Sequence, residues 1–338
     1  MTRERQSFEQ ACVNFVAKGL MDAREAATLP EGAVWHYEPK WDGFRCLVCK
    51  NENAITLAGR SGKSLTRFFP EVVAGLQALR TPSRFIVDGE LVIEIGGALS
   101  FEALQMRLHP ASSRVKRLSE ETPARLIAFD LLWAGKRDYV SKSFADRRAA
   151  LEKLFIHHTV PHLALTESTT KVPLAKRWLR GRCLETDGVV AKRLDLDYRF
   201  GERAMLKIKR HRTADCVVGG FRYRDNKNEI GSLLLGLYDC EGLLHHVGYT
   251  SAFSDTERTN LLPKLEKIKL SAGFTCGTPG KPSRWSTERS AAWTLVRPLL
   301  IAEVSYDHAT GGRFRHGTKF IRWRPDKSPH QCGLDQLD

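Results

Sequence analysis

From Val34 onward the sequence is cut into short apolar runs separated by turn residues, and the helical stretches between them follow no regular strand–helix–strand order. That irregularity excludes a doubly wound parallel sheet and implies mixed, largely antiparallel sheets in an α+β domain. The strand-like runs are Val34 to Tyr37, Phe44 to Cys49, Ala54 to Ala58, Phe85 to Val87, Leu91 to Ile95 and Arg125 to Trp133. Helices are expected over Phe69 to Leu79, with Pro70 in the first turn, over Phe101 to Leu108 after Ser100, and over Phe144 to Phe155 after Ser143. Ahead of them, Phe8, Ala11, Cys12, Phe15 and Val16 recur at helical spacing, so residues 7–29 read as one helix that Pro30 stops.

A boundary falls near residue 211. The run Arg203 to Arg212 holds five cationic side chains and no acid after Glu202, and the remainder of the chain is strand-dense. Cys216 to Tyr223, Leu233 to Tyr238, Leu243 to Tyr249, Leu299 to Ser305 and Lys319 to Trp323, with one helix around Thr256 to Ile268, fit a small Greek-key barrel such as an OB-fold. The 338 residues therefore divide into an α+β domain over 1–211 and an all-β domain over 212–338, with Thr275 to Ser290 as a loop rich in Gly and Pro.

Charge narrows the partner. The chain carries 53 Lys and Arg against 39 Asp and Glu, a formal +14, and both parts are basic: 35 against 25 in residues 1–211, 18 against 14 in 212–338. A positive field of this size suits nucleic acid or an anionic membrane surface. No apolar run approaches the length of a membrane span, since Asp130 interrupts Leu126 to Trp133 and Arg297, Pro298 and Glu303 interrupt Leu295 to Val304. The N-terminus lacks the apolar stretch of a secretory signal, so a cytoplasmic protein without a membrane partner is expected. Eight scattered cysteines read as buried thiols rather than a disulfide framework, the Cys46–Cys49 pair included.

Two nucleotide motifs fail on inspection. Gly59 to Ser64 ends in GKS, but Leu57 stands where a phosphate loop needs its first glycine, and no GxGxxG follows a strand. The informative cluster is Glu38 to Arg45 (EPKWDGFR), between two strand-like runs. Lys40 is either an exposed turn lysine, with Asp42-Gly43 as a hairpin turn, or a nucleophile at a strand end. Near neutral pH only roughly 0.1% of an ordinary lysine is uncharged, so a nucleophilic Lys40 needs neighbouring cations or a metal that favour the free amine.

Later patches supply what such a nucleophile would use. Asp88-Gly89-Glu90 is either a common turn or a carboxylate at a strand edge for Mg²⁺ or a ribose. Phe129 is a core residue or a base-stacking ring; Asp187, ahead of Gly188 to Lys192 (GVVAK), is a second carboxylate. Lys207 and Lys209 alternate, so they share one strand face, either a solvated basic edge or a phosphate clamp.

In this order the patches resemble the covalent nucleotidyltransferases, which include ATP-dependent DNA ligases, RNA ligases and mRNA capping enzymes. Lys40 to Arg45 (KWDGFR) is similar to the signature whose lysine attacks an α-phosphate, and Phe320 to Lys327 (FIRWRPDK) to the RxDK element of the ligase OB domain. The closest likeness is to compact bacterial ATP-dependent DNA ligases, which have only these two domains. Gly59 replaces the serine usual before Arg60, and Asp187 stands where many ligases carry glutamate, with Glu185 two residues earlier.

The resemblance implies an enzyme that seals 5′-phosphate/3′-hydroxyl nicks in duplex DNA through a lysine-AMP and then a DNA-adenylate. Lys40 would be the nucleophile beside Asp42, with Asp326 and Lys327 acting with Arg324 on the pyrophosphate. Glu38, Arg45, Arg60, Phe129, Val190, Lys207 and Lys209 would hold the nucleotide. Glu90 and Asp187 would hold Mg²⁺ or Mn²⁺. It further implies a monomer, associated with the bacterial nucleoid, whose OB domain reorients between steps about residues 207–214. The rival readings are a GTP-dependent capping-type or RNA-ligase enzyme, and a noncatalytic basic OB-fold module.

Overall fold

The computed structural model describes residues 3–79, 82–156, 160–181, 186–210, 212–224, 229–270, 274–275 and 293–337. The chain divides into two compact units, Met1–Arg210 and His211–Asp338. The first unit contains β1 (Ala23–Glu25), β2 (Trp35–Pro39), β3 (Phe44–Asn51), β4 (Ala54–Gly59), β5 (Arg84–Ile95), β6 (Ala98–Leu99), β7 (Ala124–Ala134), β8 (Arg137–Asp138), β9 (Leu163–Leu165), β10 (Gly188–Arg193) and β11 (Met205–Lys209). One sheet runs β1-β11-β10-β2, and the other runs β4-β3-β5-β7-β8 with β6 on β5 and β9 on β7. All pairings are antiparallel except β1 with β11 and β7 with β9.

Strand alternation sorts the side chains into cores. In β3, Cys46 and Val48 pack with Val72, Leu76, Leu104 and Leu151 beneath the helices, whereas Leu47 and Cys49 point the other way, to Phe8, Phe15, Ile86, Leu132 and Met205. The second group joins the two sheets. Cys46 and Cys49 are thus buried in different cores and cannot share one metal. On the outer face of the four-stranded sheet, Tyr37, Val189, Ala191 and Ile208 pack on Trp178 and Ala175 of the helix Val172–Leu179.

Several sequence expectations are corrected. The first helix is Arg3–Lys18, not 7–29: Gly19, at φ +77°, turns the chain into β1 well before Pro30. The runs at 85–87 and 91–95 are one strand that lies between β3 and β7, so Asp88-Gly89-Glu90 is neither a turn nor a strand edge. Gly89 keeps the strand continuous, because a Cβ there would lie 2.8 Å from the Ile127 carbonyl oxygen on β7. Nor is β11 an edge strand, since it lies between β1 and β10. Helices Ser112–Glu121 and Val172–Leu179 go unread in the sequence. By contrast Ser100 caps Phe101–Arg107, and Ser143 accepts from the Asp146 backbone at the start of Phe144–Ile156.

The second unit holds β12 (Arg212–Tyr223), β13 (Ile230–Tyr238), β14 (Leu244–Thr250), β15 (Thr294–Leu295), β16 (Ile301–Tyr306), β17 (Ala309–Thr310), β18 (Arg313–Phe314) and β19 (Lys319–Trp323). Its sheet is antiparallel in the order β14-β13-β12-β16-β19, with β15 on β12, as expected of an OB-fold. The helix Asp255–Glu266 starts at a capping box made by Ser254 and Glu257 and packs Leu261 and Leu265 into the core. The expected loop at 275–290 lies, from residue 276 on, outside the described residues.

Candidate active site

Lys40 occupies the crossing from β2 in one sheet to β3 in the other. Its backbone continues the ladder with β10, donating to the Gly188 carbonyl at 2.9 Å and accepting from Asp187 N–H at 3.0 Å. The segment is therefore a bridge between sheets and not the hairpin turn that Asp42-Gly43 suggested. Two glycines permit the close approach: a Cβ on Gly43 would lie 2.1 Å from the Leu91 carbonyl oxygen, and one on Gly188, at φ +145°, 2.0 Å from that of Ile208.

A cavity opens between the sheets beside this crossing. Glu38, Lys40, Val190, Lys192 and Lys207 line it from the four-stranded sheet and its end, and Arg45, Glu90 and Phe129 from the other, with Arg60 after β4 at the rim. Alternation explains the set, because Glu38, Val190, Lys192 and Lys207 all stand opposite the outward-facing core residues of their strands. Asp42, Asp187 and Lys209 are not among the lining residues. Asp187 is joined to the site through Lys40, with Oδ2 2.9 Å from Nζ, and Lys209 follows Lys207 on the same face of β11. Glu185 lies outside the described residues.

Charge in the cavity is unevenly compensated. Arg45 donates Nε and Nη2 to the two oxygens of Asp88, both at 2.6 Å, and Asp88 also accepts from Tyr198 Oη at 2.6 Å. Burial opposes the charge on Arg45, but Asp88 overrides it and raises its pKa. This arginine is thus bound to a carboxylate with its guanidinium over the Phe129 ring, not left for a phosphate. Glu90 has weaker compensation: burial pushes its carboxyl up to about 7 against the pull of Arg45 and Lys40. A half-buried carboxyl so placed fits a hard divalent cation, which would restore the charged form with oxygen ligands. Arg60 reaches Asp22 at 2.5 Å and is largely exposed.

The sequence did not single out Tyr198, Arg148 or the loop residues Met21 and Asp22, and it marked Asp88 only as part of the Asp88-Gly89-Glu90 patch. Only the alternation of Val190 with Lys192 carried a local signal, because the other contacts join residues far apart in the chain.

In the second unit, Arg324 donates Nη1 to both oxygens of Asp215 at 2.9 Å and Nη2 to Asp326 at 2.7 Å, while Lys327 pairs with the same Asp215. The Arg324 hydrogen bond pulls the Asp326 carboxyl down to about 2. The three residues of the RxDK element thus form one network, whose buried member is an aspartate outside the motif.

A lysine at a sheet crossing, a cavity lined by an aromatic ring and the carboxylates of Asp22, Glu38 and Glu90, and an antiparallel OB-type unit define the covalent nucleotidyltransferase class. The family model for the ATP dependent DNA ligase domain matches residues 14–209, and that for the ATP dependent DNA ligase C terminal region matches 226–327. DNA ligase C2 of Mycolicibacterium smegmatis is 43% identical over 89% of this chain and 89% of its own. DNA ligase C of Mycobacterium tuberculosis is 41% identical over 94% and 93%. A solved structure described under "DNA binding with a minimal scaffold: Structure-function analysis of Lig E DNA ligases" shares the fold, with a TM-score of 0.55 at 19% identity, over 90% of this chain and 99% of that one. The chain belongs to the ATP-dependent DNA ligases, of the compact bacterial type. These matches do not favour the capping-type, RNA-ligase or noncatalytic readings.

Proposed function

We propose that Lys40 is the nucleophile of an ATP-dependent nick-sealing reaction. The observation that carries this is the Lys40 ammonium at the mouth of the cavity, 2.9 Å from Asp187 Oδ2. This pair holds Nζ as the ammonium; with Asp187 engaged by a cation instead, the free amine would be favoured and its proton would pass to solvent before the attack. The Nζ–Pα bond then forms as the Pα–O bond to pyrophosphate breaks, the electron pair leaving with pyrophosphate. Lys207 and Lys209 neutralise the phosphates, and Arg324, Asp326 and Lys327 orient the leaving group. Phe129 stacks on the base against Val190, and Glu38 accepts from it. Arg45 acts on the nucleotide indirectly, as the cation that supports Phe129. Mg²⁺ or Mn²⁺ held by Glu90 and Asp187 would supply charge neutralisation at the α-phosphate.

The AMP next passes to the 5′-phosphate of nicked duplex DNA, and the adjacent 3′-hydroxyl displaces it. Asp42 belongs to the Lys40 loop, and Arg60 serves the ribose or the nick phosphate. Among the described residues no helix is long and apolar enough to cross a membrane. The proposed working form is a monomer at the bacterial nucleoid, over the two domains 1–211 and 212–338, and sedimentation tests the stoichiometry.

The decisive experiment incubates the protein with α-labelled ATP and follows sealing of a nicked duplex, with NAD and an RNA nick as comparisons. Label that survives denaturation, and is missing from Lys40→Ala, is expected. Equal labelling of the parent and Lys40→Ala removes Lys40 from the mechanism.

A further inference from the structure

Glu38 is 2% exposed, yet one of its oxygens has no hydrogen-bond partner. Oε2 is engaged by Lys192 Nζ at 2.7 Å. Oε1 lies 3.6 Å from Arg148 Nη1 and 3.9 Å from His36 Nε2, both beyond hydrogen-bonding range. A buried acceptor left open is costly unless a ligand fills it. Glu38 and Lys192 both line the cavity that holds Lys40.

The strand register explains how the acceptor is held. In the β2–β10 pair Glu38 stands opposite Val190 and His36 opposite Lys192, so Lys192 is the diagonal neighbour of Glu38 on the same face. Lys192 also donates to the Phe129 carbonyl at 2.9 Å and places its ammonium over the Phe129 ring, 4.6 Å from the centroid. One buried cation therefore ties the carboxylate to the strand that carries the ring. Arg148 approaches from the helix Phe144–Ile156, anchored by Nη2 on the Thr166 carbonyl at 3.0 Å and by Nε on Glu152 at 2.8 Å.

We infer that Lys192 and Arg148 are positioning residues that set base selectivity, holding the Glu38 carboxylate as a fixed acceptor beside Phe129 so that the site takes adenine and rejects guanine. This rests on the reading in which Glu38 meets the base. A nucleobase edge that donates N–H, such as the 6-amino group of adenine, satisfies Oε1. The 6-carbonyl of guanine sets two acceptors against each other. A site built around one hydrogen bond discriminates strongly against a partner that cannot make it, because the buried group is then left unpaired. Without the cations Glu38 can take up a proton and donate instead, which suits a carbonyl as well as an amine.

The test measures covalent labelling by ATP, by GTP and by purine riboside triphosphate, which lacks the 6-substituent. Lys192→Met is expected to lower labelling by ATP about ten- to a hundredfold, the equivalent of one lost buried hydrogen bond. Labelling by the purine triphosphate should change far less, and the GTP-to-ATP ratio should rise. Lys192→Arg, which keeps the cation, should restore the preference. Arg148→Met repeats the measurement should Lys192→Met not fold. Equal losses with ATP and the purine analogue, or an unchanged GTP-to-ATP ratio in whichever variant folds, overturn the inference. Glu38→Ala separates the two readings. If it retains the preference of the parent, Glu38 does not meet the base. If it loses the preference while the Lys192 variant keeps it, only the positioning role fails.

Discussion

At Gly43 the Leu91 carbonyl oxygen occupies the place a side chain would need, only 2.1 Å from a built Cβ. Because the obstacle is backbone of the central strand β5, it cannot rotate aside as a side chain would, and a methyl group must push the Lys40 crossing away from the sheet. Overpacking of this kind costs about 1–3 kcal/mol. A displacement near 1 Å of a nucleophile lowers the rate by about a hundredfold. Gly43→Ala is therefore expected to lose stability in urea unfolding and at least about tenfold in lysine-AMP formation. Parental values of both would show that the crossing tolerates a side chain and that the glycine is not needed for close approach. Gly188 makes the same demand from β10, where φ +145° adds backbone strain to the clash with Ile208.

Strand β5 shows why parts of the site were legible and others were not. Local alternation gave the shared face of Lys207 and Lys209, and the motif order singled out Lys40, Glu90 and Phe129, which line the cavity, and Asp187, which pairs with Lys40. The role of Arg45 was hidden, since its partner Asp88 is 43 residues away and the third member, Tyr198, a further 110. No periodicity encodes a contact between strands so distant. The two readings left open for Asp88-Gly89-Glu90, turn or strand edge, had the same origin: Gly and Asp are turn residues locally, and only the pairing of β5 with both β3 and β7 makes the segment a central strand. The triad also predicts a graded response. Asp88→Ala strands the Arg45 guanidinium without its carboxylate and is expected to cost about 3–5 kcal/mol. Tyr198→Phe removes one hydroxyl donor of three and should cost only about 1 kcal/mol. Chemical unfolding of the two variants checks the order, and equal losses would mean that Tyr198, not Arg45, dominates the stability of Asp88.

Over the whole molecule each unit buries a histidine against cations, which links stability to acid. In the first unit, burial and then Lys192 and Arg148 hold His36 down to about 3. In the second, burial and then Arg313 and Arg222 hold His246 down to about 4. Both are neutral when folded, whereas an unfolded histidine takes a proton near 6.5. The unfolded chain therefore binds more protons below about pH 6.5. Stability is full above that value and is lost as pH falls toward the folded values, by up to about 1.4 kcal/mol per pH unit for each histidine. Glu90 acts in the opposite sense. Its folded carboxyl titrates at about 7 against 4.5 when unfolded, so acidification through that window favours the folded first unit and partly masks His36. The histidine contribution is consequently read as a difference between variants. Urea midpoints at pH 7, 6 and 5 should fall less steeply in His36→Gln for the transition of the first unit, and in His246→Gln for that of the second. Slopes identical to the parent in both variants would mean that these histidines take up protons in the folded protein as readily as in the unfolded chain.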